Sequence, residues 1–155
     1  MAVLYLAVPI PAYAAKPHYE LTGKVVKIAD GDTLTILDAD KEQRKIRLAG
    51  IDAPEKGQPF RTKAREALGK VFGQTVRVEI GITGKSGASF LGERFVNMEM
   101  VRDGFAWRYV TYDKPGQFTA AEADAREHHR GLWADKDSVP PWEWRREKRR
   151  GQKTQ

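Results

Sequence analysis

Residues 21–51 read LTGKVVKIADGDTLTILDADKEQRKIRLAGI, and this stretch decides the fold. Residues 21–29 and 33–37 are β-rich and flank the polar turn Asp30-Gly31-Asp32, the pattern of a strand pair. A polar loop, DADKEQ, follows at 38–43. Residues 44–51 then resume the strand pattern, with Ile46, Leu48 and Gly50 on one set of positions. Asp52-Ala53-Pro54-Glu55 must leave the sheet, because Pro54 has no N–H to give to a ladder.

Downstream the period changes. Phe60, Ala64, Ala67, Leu68 and Val71 share one face of a helix that starts near Pro59. Residues 75–82 return to a strand, Val76, Val78 and Ile80 alternating with Arg77 and Glu79. A small-residue loop at 83–89 leads to a short strand ending at Val96, a helix from Asn97 and a strand over 105–110. A helix over 119–130 is stopped by Gly131. Strands first, helices interleaved late and no regular βαβ alternation argue for an α+β fold with a small barrel. The 155 residues show no internal repeat and no linker, so one domain is expected.

Composition narrows the chemistry. With no cysteine, disulfide scaffolds, thiolate zinc sites, iron–sulfur clusters and cysteine nucleophiles are excluded. Three histidines, His18, His128 and His129, make a thin basis for an imidazole metal site. Adjacent His128 and His129 cannot share one helix face and read as surface residues. A metal here would need oxygen ligands, which favours calcium or magnesium. The net charge of +6 makes a polyanion a plausible partner without specifying a reaction.

The two ends contrast. Residues 1–15 (MAVLYLAVPIPAYAA) carry no charge and close on Ala12-Tyr13-Ala14, the form of a secretory cleavage site. The segment is too short for a stable membrane span, and the basic region that opens a signal peptide is missing. Export to the periplasm or the exterior is the expectation. At the other end, residues 143–155 hold four of the six net charges. Residues 145–155 are expected to form a basic, disordered tail that attracts phosphates without regard to sequence.

Two motif resemblances fail. Gly84-Lys85-Ser86 looks like the end of a phosphate-binding loop, but the first glycine of that pattern falls on Glu79. Residues 38–49 open like a calcium-binding EF-hand loop, but Gln43 and Ala49 stand where glycine and glutamate are required. The region from Asp30 to Glu55 is different. Asp32, Asp52 and Glu55 lie at strand ends or turns, where a scaffold can aim them at one point, and Arg47 sits on the strand leading into them. Phosphodiester hydrolysis asks for a hard cation, an arginine fork for developing charge and a carboxylate to handle water. Solvated turn carboxylates are the plain alternative, and for Asp30 that alternative is strong.

These residues fall in stretches that resemble the staphylococcal nuclease, or thermonuclease, family: IADGDT at 28–33, IRLAGIDAPE at 46–55, VNMEMVRDGFAW at 96–107 and RGLW at 130–133. In this order and spacing they are highly specific, and they cover the chain from about Leu21 to Trp144. The resemblance implies an OB-fold over residues 19–144, a five-stranded Greek-key β-barrel with packed α-helices. It implies calcium bound by Asp32 and Asp52 through carboxylates and by Ala53 through its backbone carbonyl. It implies Arg47 as a catalytic arginine on the scissile phosphate, Glu55 as the catalytic carboxylate drawn as general base, and Tyr112 against the bound nucleotide. The implied reaction cuts DNA and RNA with little sequence preference and leaves 3′-phosphates, carried out by a monomer.

One departure falls on catalysis. Members of the family carry a second arginine after the strand that ends here near Ile80, whereas residues 81–90 (GITGKSGASF) contain none. Lys85 is the cation available for nucleotide binding there, a point charge without the bidentate fork. Loss of one such donor costs about 10²–10³ in rate, so reduced activity is expected. A rival reading follows: a nuclease-like barrel that binds nucleic acid or protein without cutting. The retained calcium ligands weigh against it.

Overall fold

A computed structural model describes residues 19–81, 86–113 and 116–152. The segment at 1–15 and Lys85 lie outside the described residues. The chain opens with a long strand, β1 (Tyr19–Asp30), which pairs antiparallel with β2 (Thr33–Asp38) along one part of its length and with β5 (Thr75–Ile80) along another. Strand β3 (Gln43–Leu48) pairs with β2, and β6 (Ser86–Leu91) pairs with β5. The order β3-β2-β1-β5-β6 closes when β3 and β6 meet in parallel, Arg47 opposite Ser86 and Leu48 opposite Gly87. The result is the expected five-strand barrel of an α+β OB-fold.

Alternation decides the packing. Val25, Leu34, Ile36, Ile46, Leu48, Val76, Val78 and Ile80 point inward and are buried in one hydrophobic core. Register shifts in β1 between Val25 and Lys27 and between Ile28 and Asp30 bend the strand around the barrel. The helix expected from Pro59 runs as α1 (Arg61–Gly69), burying Ala64 and Leu68. A two-residue strand, β7 (Arg94–Phe95), completes a hairpin with β6 and leads into α2 (Val96–Arg102).

The strand expected over 105–110 shrinks to β8 (Trp107–Arg108). It pairs with β4 (Ile51–Asp52), Asp52 opposite Trp107, as a two-stranded platform beside the barrel. The turn Asp103-Gly104 on one side and Tyr109 to Asp113 on the other leave too little extended chain for more. Helix α3 (Thr119–Glu127) follows, and Gly131 opens a short 3₁₀ turn. His128 and His129 lie exposed after α3, as their adjacency suggests.

The largest departure is at the C-terminus. Residues 145–152, expected to be part of a disordered tail, belong to α4 (Pro141–Gln152). Pro141 occupies the first helical position, where its missing N–H costs nothing. The helix is docked by side chains outside it. Tyr109 stacks on Trp142 at 5.4 Å between centroids, and Gln58 donates to the carbonyl of Val139 at 2.5 Å.

Two features hold the functional turn in place. A Cβ on Gly31 would lie 2.7 Å from that of Ala64 and 2.8 Å from that of Ala53, so only glycine lets the Asp30–Asp32 turn close against α1. Asn97 is fully buried; its Oδ1 accepts from the Ser89 N–H, and its Nδ2 donates to the carbonyls of Ala49 and Gly87. That fastens α2 to β6 and to the backbone just before Asp52.

Candidate active site

The reversal between β1 and β2 aims Asp32 inward. Its own carbonyl accepts from the Leu48 N–H at 2.7 Å, locking the turn to the end of β3. The carboxylate is nearly buried. Oδ1 accepts from Thr33 Oγ1 at 2.8 Å, and Oδ2 accepts from the Ala53 N–H at 2.9 Å. Burial pushes this acid up to about 7, with Asp30 adding repulsion; Arg47 and the two hydrogen bonds pull the other way without winning.

Arg47 projects from β3 beside it. Its Nη2 donates to Asp52 Oδ1 at 2.9 Å and lies 3.4 Å from Asp32 Oδ2, so one guanidinium bridges both aspartates. Burial works against its charge, but the two carboxylates outweigh burial and hold Arg47 above the ordinary arginine value. Asp52, on β4, is completely buried. Glu55 follows in the loop that Pro54 forces out of the sheet. Its N–H donates to Gln58 Oε1 at 2.9 Å, the same Gln58 that holds the entry to α4.

Asp32, Arg47, Ala53 and Glu55 line one open cleft of about 430 Å³, with Asp30, Thr33, Lys45 and Pro54. Four residues singled out in the sequence thus share one cleft, with Asp52 reaching it through Arg47. Lys45 was missed; its signal was available, because it stands two positions before Arg47 and so faces the same side of β3.

Arg145 of α4 was missed entirely. Its Nη2 donates to Asp52 Oδ2 at 2.7 Å, while Nη1 reaches Asp52 Oδ1 at 3.2 Å and Glu55 Oε1 at 2.5 Å. The bonds to Asp52 raise its proton affinity well above the ordinary arginine range, with Glu55 adding to them against partial burial. The expected nucleotide residue Tyr112 is not among the groups gathered on Asp52. It stands 67% exposed past β8, edge-on to Tyr109, whose ring also stacks on Trp142 of α4. Arg94 of β7, the first arginine after residues 81–90, is committed to a bidentate pair with Glu99.

The donor set suits a hard cation. Among the described residues no cluster of three or more acidic or histidine side chains is close enough to hold a metal. Two aspartates and the Ala53 carbonyl are all-oxygen donors, and a carboxylate that burial drives toward neutrality, as at Asp32, is one that a bound cation would keep ionised.

Comparison with known proteins identifies the family. Residues 45–135 match the family described as staphylococcal nuclease homologue. The chain is 40% identical to protein ParB of Escherichia coli, over 94% of this chain and 88% of that protein. It is 35% identical to a micrococcal nuclease of Shigella flexneri, over 94% and 89% of the two chains, and 37% identical to an uncharacterized endonuclease of Haemophilus influenzae, over 83% and 75%. From the barrel, the Asp32-to-Glu55 span and these relatives together, the chain belongs to the staphylococcal nuclease family.

Proposed function

We propose that this protein is a calcium-dependent phosphodiesterase that cuts DNA and RNA with little sequence preference and leaves 3′-phosphates. The observation that carries the reading is the sharing of one cleft by Asp32, Arg47 and Glu55, with Arg47 bonded to the buried Asp52. Relatives named as nucleases support the hydrolytic part.

Asp32 and Asp52, with the Ala53 carbonyl, would hold the calcium. When bound, that ion polarises the phosphate and offsets its charge. Arg47, fixed by two carboxylates, presents N–H donors to the phosphoryl oxygens, a stabilisation that costs no reorganisation during the reaction. Glu55 takes the proton of the attacking water. The water oxygen bonds to phosphorus, the P–O5′ bond breaks, and the leaving 5′-oxygen gains a proton from solvent. Tyr112 and Lys85 would contact the nucleotide. An aromatic face accepts any base by stacking, which fits low sequence preference.

Incubation of the purified protein with single-stranded DNA and with RNA, in calcium and in a chelator, tests the reading. Calcium-restricted cleavage with 3′-phosphate ends is the expected result. Intact nucleic acid under both conditions, with salt-sensitive binding, would favour the rival barrel that binds without cutting. Export and a monomeric state belong to the same proposal; cell fractionation and light scattering test them. The reduced rate expected from an arginine-free 81–90 segment holds only if no other arginine reaches the phosphate.

A further inference from the structure

We propose that Arg145, carried by the C-terminal helix, is a catalytic residue of this site: a second arginine fork that donates to the phosphate undergoing cleavage. The proposal rests on the nuclease reading above. Three observations carry it. First, Arg145 and Arg47 meet on one atom, Asp52 Oδ1, at 3.2 and 2.9 Å, so guanidinium groups from α4 and β3 stand side by side on this buried carboxylate. Second, Arg145 also bonds Glu55, which places it beside the carboxylate that would receive the water proton.

Third, the bonds recorded for Arg145 use only Nη1 and Nη2, while an arginine has five N–H donors. Its Nε edge therefore has donors to spare, and the side chain is 30% exposed. Arg145 and Glu55 also line a second groove of about 240 Å³ together with Lys56, Lys148 and Arg149. Glu55 lines both hollows, so a nucleic-acid strand leaving the acidic cleft would pass Arg145 into a basic groove along α4.

The chemistry requires such a group. As water adds to phosphorus, negative charge builds on the non-bridging oxygens before the 5′-oxygen departs and is protonated by solvent. A single fork shared between two aspartates covers that charge incompletely, and a second planar fork adds paired, charge-assisted bonds. The Arg145 pair is also not the sole anchor of α4, which Trp142 on Tyr109 and Gln58 on Val139 hold independently.

The test compares Arg145→Gln and Arg145→Lys with the parent chain, using fluorescein-labelled single-stranded DNA in calcium. Arg145→Gln is expected to lower kcat about 10²–10³-fold with KM within a few-fold, the pattern for a donor to developing charge. Arg145→Lys restores only part of it, because an ammonium lacks the fork. A second readout needs no turnover. In a Glu55→Gln background, adding Arg145→Gln should lower the slope of log binding constant against log salt by about 0.7, the value for one phosphate contact on a single strand. Tryptophan fluorescence checks that α4 stays docked; if Arg145→Gln undocks it, the kcat of the lysine variant decides. A kcat within threefold of the parent for either variant, or a slope left unchanged by Arg145→Gln, overturns the role of Arg145. Absence of cleavage by the parent chain itself would instead overturn the nuclease reading.

Discussion

Arg145 and Asp52, 93 residues apart in the chain, face each other through two hydrogen bonds at 2.7 and 3.2 Å, and Asp52 is the completely buried member. The pair ties the end of the chain to the barrel platform, while Arg47 takes the same carboxylate from the other side. Asp52 is thus the carboxylate that the two guanidinium groups share.

Replacing it tests that arrangement. Asp52→Asn keeps the shape but removes the charge that both arginines share, leaving Arg47 with Asp32 and Arg145 with Glu55. Loss of one partner of a fully buried pair costs about 3–5 kcal/mol. Here the arginines reach solvent, so the expected cost is nearer 1–2 kcal/mol after allowance for screening. Thermal unfolding measures that cost, and hydrogen exchange should show faster exchange in α4 than in β1 or β5. Unchanged protection of α4 would mean that the aromatic stack alone holds the helix.

Asp32 gives a pH dependence whose sign is set by burial. Its folded value, about 7, lies above the ordinary 3.8, so the folded chain keeps a proton there that the unfolded chain releases. Between about pH 4 and 7 stability falls as pH rises, because folding then requires either proton uptake or a buried charge. In chelator the melting temperature is expected to be higher at pH 5 than at pH 8. Asp32→Asn should flatten that difference and raise the melting temperature at pH 8, while abolishing calcium-dependent cleavage. A melting temperature that falls on this substitution would show that the carboxylate is a net stabiliser.

The barrel was legible because its strands bury one face each, so a period of two runs through 21–48 and 75–80 and fixes which residues turn inward. Asp32, Arg47, Asp52 and Glu55 were legible because they sit close together in sequence on the turn and strand ends of that sheet. Arg145 was not. It lies in a run of charges with no apolar stripe of its own, and what folds that run into a docked helix is tertiary: Trp142 on Tyr109, Gln58 on Val139 and the carboxylates of Asp52 and Glu55. Periodicity reports a helix that buries its own hydrophobic face; it says nothing of one held by partners far upstream in the chain. The short β8 strand escaped for a related reason. Residues 105–110 have strand composition, but only Trp107 and Arg108 find a partner, in the two residues of β4.

Tyr112 separates binding from chemistry. Its ring is 67% exposed and rests edge-on against Tyr109, so it can stack on a base without any rearrangement of the core. It does not touch the carboxylates, so its contribution should be to substrate binding alone. Stacking of one base on an aromatic ring is worth about 1–3 kcal/mol. Tyr112→Ala is therefore expected to raise KM for single-stranded DNA roughly 5- to 150-fold, with kcat within a factor of two, since uniform binding leaves the chemical step unchanged. Its melting temperature should stay within a degree or two of the parent, because little of the ring is buried. Steady-state kinetics on a short oligonucleotide check the split. A fall in kcat at constant KM would place Tyr112 in contact with the reacting phosphate and remove it from the base-binding role.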